Sequence, residues 1–455
     1  MATHERETDI LVVGGGTGGV AAALAATAMG ARVIVTEPTA WLGGQLTSQA
    51  VPPDEHPWIE RFGCTRRYRM FRDGVRAHAR AHLPLTPAAR DDVALNPGLG
   101  MVSRLCHEPR TAVAVLDGML AGARTRGLLE TWHHLEPVEA RVEGDRVTSV
   151  IFRGGHDGDL VEIRARFILD ATELGDLLAL GSVEHVNGAE SQAETGEPHA
   201  VDGPAQPMNV QGFTHCLAVG LDRTPGAHHV IARPAQYDRW RDYVPRLSPP
   251  WPGRMLAWTY SHPVDLSPRT PVLLPEEAHE PGAFALWTYR RIIAVGNHVT
   301  GALPEEVTIV NWPQNDFIEG ALADVGTEAR DAAREGARQL SLSLLYWMQV
   351  EAPRPDGGVG YPGLRPRGDV TGTPDGLAMA PYIRESRRIR AQATVTEQHV
   401  GAACRGVARG AVWFRIDREK PVGRTFIRPF WRALGPGVCA ELLGRAGRAD
   451  QSRGP

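Results

Sequence analysis

A glycine cluster near the amino terminus constrains the fold of this 455-residue chain more than any other feature. Residues 9–13 form a short apolar run rich in β-branched side chains, and residues 14–19 read Gly-Gly-Gly-Thr-Gly-Gly. An alanine-rich segment follows and ends at Gly30, and a second apolar run occupies residues 32–37. This order predicts a strand, a tight loop, a helix and a second strand, the βαβ unit that binds a dinucleotide.

The spacing within the cluster gives each glycine a separate task. Gly14 makes the tight turn, Gly16 lets the backbone approach a pyrophosphate, and Gly19 allows close packing of helix on strand. Glu37 ends the second strand 23 residues after Gly14. A carboxylate at this position accepts hydrogen bonds from an adenosine ribose and repels a 2′-phosphate, which disfavours NADP. The predicted cofactor contacts of this unit are Gly14, Gly15, Gly16, Thr17, Gly18, Gly19, Glu37 and Pro38.

The same glycine expression occurs again at residues 358–363, where its surroundings differ. This second match follows two prolines, not a strand, and Pro362 interrupts any helix start. It predicts a loop, and it demonstrates that the motif alone is weak evidence. A glycine-rich packing turn is therefore the alternative at the amino terminus, where the agreement of strand, helix, second strand and terminal acid favours a cofactor site.

Composition excludes several classes of protein. Of the 49 basic residues only Lys420 is a lysine, whereas P-loop nucleotidases, kinases and Schiff-base enzymes each need a lysine at the reacting group. A GC-rich genome would produce the same excess of arginine without any functional meaning. The five cysteines are odd in number and lack a C-x-x-C pair, which predicts a reducing, cytoplasmic location. The acidic flank before the apolar stretch 10–31 argues against a signal or membrane helix.

Several later segments, together with the glycine cluster and Glu37, resemble one known family. They are Gly43-Gly44-Gln45, Cys106-His107-Glu108-Pro109, the Asp170–Asp176 segment Asp-Ala-Thr-Glu-Leu-Gly-Asp, Asn311-Trp-Pro-Gln-Asn-Asp316 and the segment 382–389. Over about residues 8–404 the chain is similar to FAD-dependent oxidoreductases of the xanthan-lyase-like type, which are related to fumarate reductase flavoproteins. The resemblance implies that FAD is the cofactor. It also implies cofactor contacts from Gly43, Gly44, Gln45, Asp170, Ala171, Thr172 and Asp176.

The predicted fold class is α/β, with a Rossmann-like FAD-binding domain that carries a β-meander and with an inserted α+β substrate domain. The expected boundaries are 1–185 for the FAD-binding domain, 186–375 for the substrate domain and 376–404 for a return to the FAD-binding domain. The residue patterns predict helices over 107–127 and 327–350, and strands over 128–132, 138–142, 147–152, 160–163 and 167–170.

Residues 405–455 are predicted to be an atypical basic tail. Residues 1–404 contain 38 arginines against 49 acidic residues, whereas the tail contains ten arginines and Lys420 against four acidic residues. The family usually closes with a segment of the type G-K-x-x-x-x-T-H that lines the flavin, and the tail does not resemble it. We therefore expect a truncated or frame-shifted product in which FAD binds weakly or not at all.

The candidates for catalysis are a histidine, an aspartate and a set of arginines. His215 is a possible general base because imidazole titrates near neutral pH, and Asp316 lies in a polar cluster between apolar flanks. Planar guanidinium groups suit a substrate carboxylate. The candidate arginines are Arg66, Arg67, Arg384, Arg387 and Arg388, of which Arg67 and Arg384 are preferred. A buried structural histidine, a turn or helix cap for Asp316 and a solvated surface for the arginines remain alternatives.

The favoured function is an FAD-dependent oxidoreductase that transfers a hydride between a small polar organic substrate and flavin N5. A flavin monooxygenase or halogenase is one alternative, although the halogenase sequence W-x-W-x-I-P is missing. A truncated, non-catalytic flavoprotein is another. The sequence lacks a second dinucleotide-binding βαβ unit, so we expect oxygen or a separate redox partner as the electron acceptor. No metal, nucleic acid or membrane is expected as a partner.

Overall fold

The computed structural model describes residues 3–154, 158–247, 250–262, 265–278 and 284–400. The predicted basic tail, 405–455, lies outside the described residues.

The strands of the described residues are numbered in chain order. They are β1 Thr3–Val13, β2 Val33–Glu37, β3 Leu129–His133, β4 Leu135–Glu143, β5 Arg146–Gly154, β6 Leu160–Asp170, β7 His185–Val186, β8 Phe213–Thr214, β9 Leu217–Leu221, β10 Tyr260–Ser261, β11 Pro268–Arg269, β12 Arg291–Ile293, β13 Val307–Val310, β14 Asp316–Phe317, β15 Leu364–Pro366 and β16 Arg388–Ile389.

The helices are numbered in the same way. They are α1 Thr17–Ala28, α2 Arg66–His82, α3 Pro87–Asp91, α4 Pro109–Thr125, α5 Asp176–Leu180, α6 Gln192–Thr195, α7 Tyr237–Asp242, α8 Leu286–Tyr289, α9 Thr327–Val350, α10 Gly368–Thr371 and α11 Glu397–Val400. Within the described residues, no helix is both long enough and apolar enough to span a membrane.

A six-stranded sheet in the order β3-β2-β1-β6-β5-β4 organises the amino-terminal part of the chain. The first four strands are parallel, and β6, β5 and β4 form an antiparallel meander. The predicted βαβ unit, meander and α/β class are confirmed. Pro137 lies within β4, the edge strand of the sheet, at a register shift between Pro137 and Glu139, and edge strands and irregular positions are where a sheet tolerates proline.

One strand prediction was wrong, because 160–163 and 167–170 form a single strand, β6. The polar residues between the two apolar runs do not interrupt it, since β1 pairs with β6 along its whole length, from Thr3 with Leu160 to Val13 with Asp170. Backbone hydrogen bonds to β1 do not depend on the side chains of the intervening residues. The carboxyl ends of β1 and β6 therefore lie side by side.

Helices α1 and α4 cover this sheet. Helix α1 begins after Gly16 and buries Val20 and Ala23, whereas α4 buries Leu116 and Leu120 on one face. These side chains share an apolar core with Val12, Val33 and Val35 of the strands. Helix α4 begins two residues later than predicted because Pro109 occupies its first turn, where a missing N–H costs nothing.

The second half of the chain contains a four-stranded antiparallel sheet, β12-β13-β9-β15, and the long helix α9. Helix α9 has the predicted bounds and buries the predicted face, including Ala337, Leu340 and Leu344. The hydrophobic core that includes this face is rich in aromatic side chains, including Trp240, Trp251, Trp258, Trp287, Trp312 and Trp347. The second glycine match, 358–363, belongs to the connection between α9 and β15, as predicted. The domain boundaries themselves remain predictions.

Candidate active site

The glycine loop after β1 has no room for side chains at two of its positions. Gly14 has φ +98°, and a Cβ on it would lie 2.3 Å from the carbonyl oxygen of Ala171. A Cβ on Gly19 would lie 2.0 Å from the carbonyl oxygen of Gly14. Both positions therefore require glycine, because the carboxyl ends of β1 and β6 and the start of α1 meet here.

The first turn of α1 presents unsatisfied backbone donors. Gly16 precedes the helix without a capping side chain, and the first turn contains no acidic residue. A Cβ on Gly18 would meet nothing within 4 Å, so this part of the loop faces open space. Free N–H groups and the positive end of a twelve-residue helix dipole are suited to a phosphate group.

A second glycine segment packs on the first. The Gly43 amide donates to the Gly15 carbonyl at 2.8 Å, and the Thr17 hydroxyl donates to the Gly43 carbonyl at 3.0 Å. Gly43 and Gly44 both have positive φ, which favours glycine at these positions. The structure thus brings together the two glycine segments that sequence reasoning assigned to the cofactor.

The carboxylate of Glu37 supports the first glycine loop. One oxygen accepts a hydrogen bond from the Gly15 amide at 3.0 Å, and the other accepts from the Thr39 amide at 2.9 Å and from its hydroxyl at 2.7 Å. Burial raises the pKa of Glu37, which these hydrogen bonds partly oppose. Pro38, the next residue, is exposed. A contact from Glu37 to an adenosine ribose remains a prediction.

The predicted cofactor residues after β6 form a tight turn against this loop. The Ala171 amide donates to the Val13 carbonyl at 2.8 Å, which places Ala171 beside the glycine cluster. Asp170 accepts hydrogen bonds from Thr172 and from the Leu177 amide at the start of α5. Asp170 therefore shapes the turn by bonding to its backbone. Asp176 instead forms an ion pair with Arg387 at 3.3 Å.

A hydrogen-bonded chain links the second glycine segment to the carboxyl-terminal part of the described chain. Gln45 Nε2 lies 3.3 Å from Asp54 Oδ2, and the Tyr382 hydroxyl donates to the same oxygen at 3.0 Å. The Arg384 guanidinium lies 5.0 Å from the centre of the Tyr382 ring. Sequence reasoning missed this contact, because Asp54 lies outside the motifs and the resemblance of the segment 382–389 does not indicate a partner for Tyr382.

A buried ion-pair network holds the loop that carries Asp54. Glu55 accepts hydrogen bonds from Tyr68 at 2.6 Å and from Ser103 at 3.0 Å, and it forms an ion pair with Arg72. Arg72 is fully buried and also pairs with Glu60. Because Arg72 and Tyr68 belong to α2, this helix fixes the position of Asp54 next to Gln45.

Two of the predicted catalytic residues, Arg384 and Asp316, are in contact. Arg384 Nη2 lies 2.8 Å from Asp316 Oδ1, and both side chains are almost fully buried. The same guanidinium nitrogen donates to the Thr214 hydroxyl at 2.8 Å and to Asn311 Oδ1 at 3.1 Å. This polar group lies where β8, β14 and the segment around Tyr382 meet.

His215 is bonded to a different part of the chain from its neighbour Thr214. Its Nε2 donates to the Ala378 carbonyl at 2.8 Å, while Nδ1 is buried with no hydrogen-bond partner in the described part of the chain. Burial lowers the pKa of His215 to about 4, so the imidazole is neutral at pH 7. A buried, neutral imidazole is typical of a structural histidine and not of a base that titrates near neutral pH. The catalytic role of His215 remains a prediction.

Within the described residues, the other candidate arginines are not bonded to Arg384 or Asp316. Arg66 and Arg67 begin α2 and form no ion pair within the described ranges. Arg387 pairs with Asp324 at 2.7 Å as well as with Asp176, and Arg388 pairs with Glu385 at 2.8 Å. The charges of Arg387 and Arg388 are therefore already neutralised by the protein. Sequence alone could not identify their acidic partners.

A pocket lies between the turn after β6 and the segment that carries Arg384. Leu174, Phe213 and Leu322 contribute apolar walls, and Asn187, Arg384 and Glu385 contribute polar groups. Asn187 Nδ2 and Arg384 Nε are both buried, and neither has a hydrogen-bond partner among the described residues. Two unsatisfied N–H donors beside one pocket favour a ligand with an oxygen acceptor. The described residues contain no group of three or more potential metal-binding side chains.

The fold and the two glycine segments beside α1 define a dinucleotide-binding protein of the Rossmann-like class. A family described as FAD dependent oxidoreductase matches residues 9–424, and the chain belongs to this family. The cofactor prediction, FAD, is thereby confirmed. The match ends twenty residues beyond residue 404, so the family similarity extends further than the sequence motifs indicated. The two glycine segments, the free N–H groups of α1 and the turn 170–172 fit the phosphate-bearing part of this cofactor.

Solved structures give weaker likenesses. The FAD complex of glycerol-3-phosphate dehydrogenase from Bacillus halodurans is 12% identical over 47% of this chain and 40% of its own, with a TM-score of 0.28. A myxobacterial chondrochloren halogenase is 18% identical over 50% and 46%, with a TM-score of 0.25. A flavocytochrome c3 fumarate reductase is 20% identical over 36% and 33%, with a TM-score of 0.22. The chain spans less than half of each of these proteins. No curated protein matches the chain.

Proposed function

We propose that this protein is an oxidoreductase that transfers a hydride between a small polar organic substrate and N5 of FAD. The family supports the cofactor and the general class of reaction. The observation that carries the proposal is the chain from Gln45 through Asp54 to Tyr382, which connects the cofactor side of the molecule with Arg384 and the adjacent pocket. When bound, FAD supplies the hydride acceptor or donor, and the protein binds and orients the substrate.

The pocket is small, about 20 Å³, and has room for a single oxygen atom of a substrate, such as a carbonyl or hydroxyl oxygen. Arg384 Nε and Asn187 Nδ2 have no hydrogen-bond partner among the described residues, both residues line the pocket, and these two groups are the proposed donors to that oxygen. The nearby charges are balanced, because Asp316 pairs with Arg384 and Arg388 pairs with Glu385. A neutral oxygen can therefore be bound without an additional uncompensated charge.

Tyr382 is the proposed positioning residue between the cofactor side and the pocket. Its hydroxyl donates to Asp54, and burial raises its pKa well above the usual tyrosine value. The phenol is consequently protonated at neutral pH. It lies between Gln45 on the cofactor side and Arg384 on the substrate side, which suits a neutral group that holds these side chains in place.

Anaerobic reduction of the purified full chain tests the proposal. The FAD-loaded protein would be mixed with small alcohols, hydroxy acids and amines, and loss of the oxidised flavin absorption band would be followed. A reducing substrate is expected, and Arg384→Lys should slow the reduction at least tenfold because the planar guanidinium donors are lost. The matched control is Arg141→Lys, since Arg141 is exposed on β4. Bound FAD that no compound of these classes reduces, and whose reduced form no carbonyl compound reoxidises, would refute the proposed reaction.

A further inference from the structure

Glu173 lies at the position where the two glycine segments approach the start of α1. A Cβ on Gly16 would lie 2.9 Å from Glu173 Oε1, and a Cβ on Gly44 would lie 2.8 Å from the same oxygen. The latter point is also 3.6 Å from the backbone nitrogen of Thr17. We call the space between Gly16, Thr17 and Gly44 the phosphate notch. A carboxylate oxygen of the protein itself therefore borders the phosphate notch.

No cation in the described part of the chain pairs with this carboxylate. Glu173 forms no ion pair within the described ranges, and its side-chain hydrogen bond is to Gln49. Although the side chain is exposed to solvent, desolvation by the surrounding protein raises the pKa of Glu173, and the nearby Glu37 carboxylate raises it further. Two acidic groups thus approach the site that must accept a doubly charged pyrophosphate.

The position of Glu173 beside the start of α1 has an electrostatic explanation. The first turn of α1 contains no acidic residue and no side-chain cap, so its positive end attracts an anion. Glu173 reaches this end from the turn after β6 and supplies a negative charge from a different part of the chain. A phosphate in the notch must therefore lie close to a like charge.

We propose that the Glu173 carboxylate, which borders the phosphate notch, repels the pyrophosphate of FAD and so weakens the affinity for the cofactor. This inference depends on FAD as the cofactor and not on the proposed reaction. Glu173→Gln removes the charge and retains both the size of the side chain and a partner for Gln49. The variant should bind FAD about tenfold more tightly than the wild type.

Ligand titrations of the flavin-free full chain test the proposal. FAD binding would be followed by quenching of flavin fluorescence, and binding of ADP and adenosine by calorimetry. The gain in Glu173→Gln should appear for FAD and for ADP, which both carry a pyrophosphate, and not for adenosine. The control is Glu5→Gln, because the exposed Glu5 lies on β1 eight residues before Val13, roughly 25 Å from the notch.

Glu173→Ala is a second variant, whose affinity for FAD should increase at least as much as that of Glu173→Gln. Circular dichroism would establish that both variants are folded. Unchanged or weaker binding of FAD by the folded variants would overturn the proposal. An equal gain in Glu5→Gln, or a gain for adenosine, would also overturn it, because the effect would then arise from net charge or from the adenine side. If neither the wild type nor the Glu173 variants bound FAD or ADP, the proposal would also be overturned, because removal of the carboxylate would not have improved binding.

Discussion

The hydroxyl of Tyr382 donates a 3.0 Å hydrogen bond to Asp54, joining residues that are 328 positions apart in the chain. Asp54 also lies next to Gln45, so this hydrogen bond connects the loop after the second glycine segment with the segment that precedes Arg384. Tyr382→Phe removes one donor from Asp54 without changing the size of the ring. It should lower the free energy of unfolding by about 1 kcal/mol and weaken FAD binding through the less restrained Gln45.

Tyr346→Phe is the matched control for this measurement. Tyr346 packs its ring against Tyr237 at 4.7 Å, and its hydroxyl makes no hydrogen bond in the described part of the chain. Urea unfolding and FAD titration of both variants would be compared with the wild type. If both variants shifted equally, the Tyr382 hydrogen bond would have no special part in holding Gln45.

The sequence predicted contacts between elements that are adjacent in the chain. It did not predict contacts between irregular segments that are far apart in the chain. The unit from β1 to β2 was predictable, because its strand, glycine loop and helix are adjacent and each has its own residue pattern. The contact of Tyr382 with Asp54 depends on how two irregular segments pack, and irregular segments carry no periodic signal. The acidic partners of Arg387 were equally hidden, since any of many acidic residues could pair with any of 48 arginines.

Gly19→Ala tests the close packing of α1 on the glycine loop. A Cβ at this position would lie 2.0 Å from the Gly14 carbonyl oxygen, so the helix must shift to accommodate it. The variant should lose about 2 kcal/mol or more of unfolding free energy and bind FAD poorly. Gly18→Ala is the control, because a Cβ there meets nothing within 4 Å. Equal stability of the two variants in urea would contradict the close contact between Gly19 and the Gly14 carbonyl.

Arg384→Ala should be strongly destabilising because it leaves Asp316 buried without its cation. The expected loss of unfolding free energy is about 3–5 kcal/mol. The double variant Arg384→Ala with Asp316→Asn should cost less than the sum of the two single variants, since it also removes the buried charge. Arg141→Ala, which breaks an exposed ion pair with Glu139, should cost less than about 1 kcal/mol. Additive losses in the urea measurements would exclude a coupled pair.

His215 should make the protein less stable as the pH falls below 6.5. Burial lowers its pKa to about 4 in the folded protein, against about 6.5 in the unfolded chain. Between these values the unfolded state binds more protons, so the unfolding free energy is highest above pH 6.5 and decreases towards pH 4. For this residue alone the expected decrease between pH 7.5 and pH 5 is about 2 kcal/mol. Urea unfolding at the two pH values, followed by tryptophan fluorescence, measures it.

His215→Gln retains an N–H donor for the Ala378 carbonyl and cannot be protonated in this pH range, so its stability should fall less with acidification than that of the wild type. A pH dependence will remain in the variant, because burial also lowers the pKa of His107 to about 4. The exposed His228 provides the control, and His228→Gln should behave like the wild type. If the unfolding free energies of the wild type and of His215→Gln fell equally with acidification, His215 would not be a buried, neutral imidazole in the folded protein.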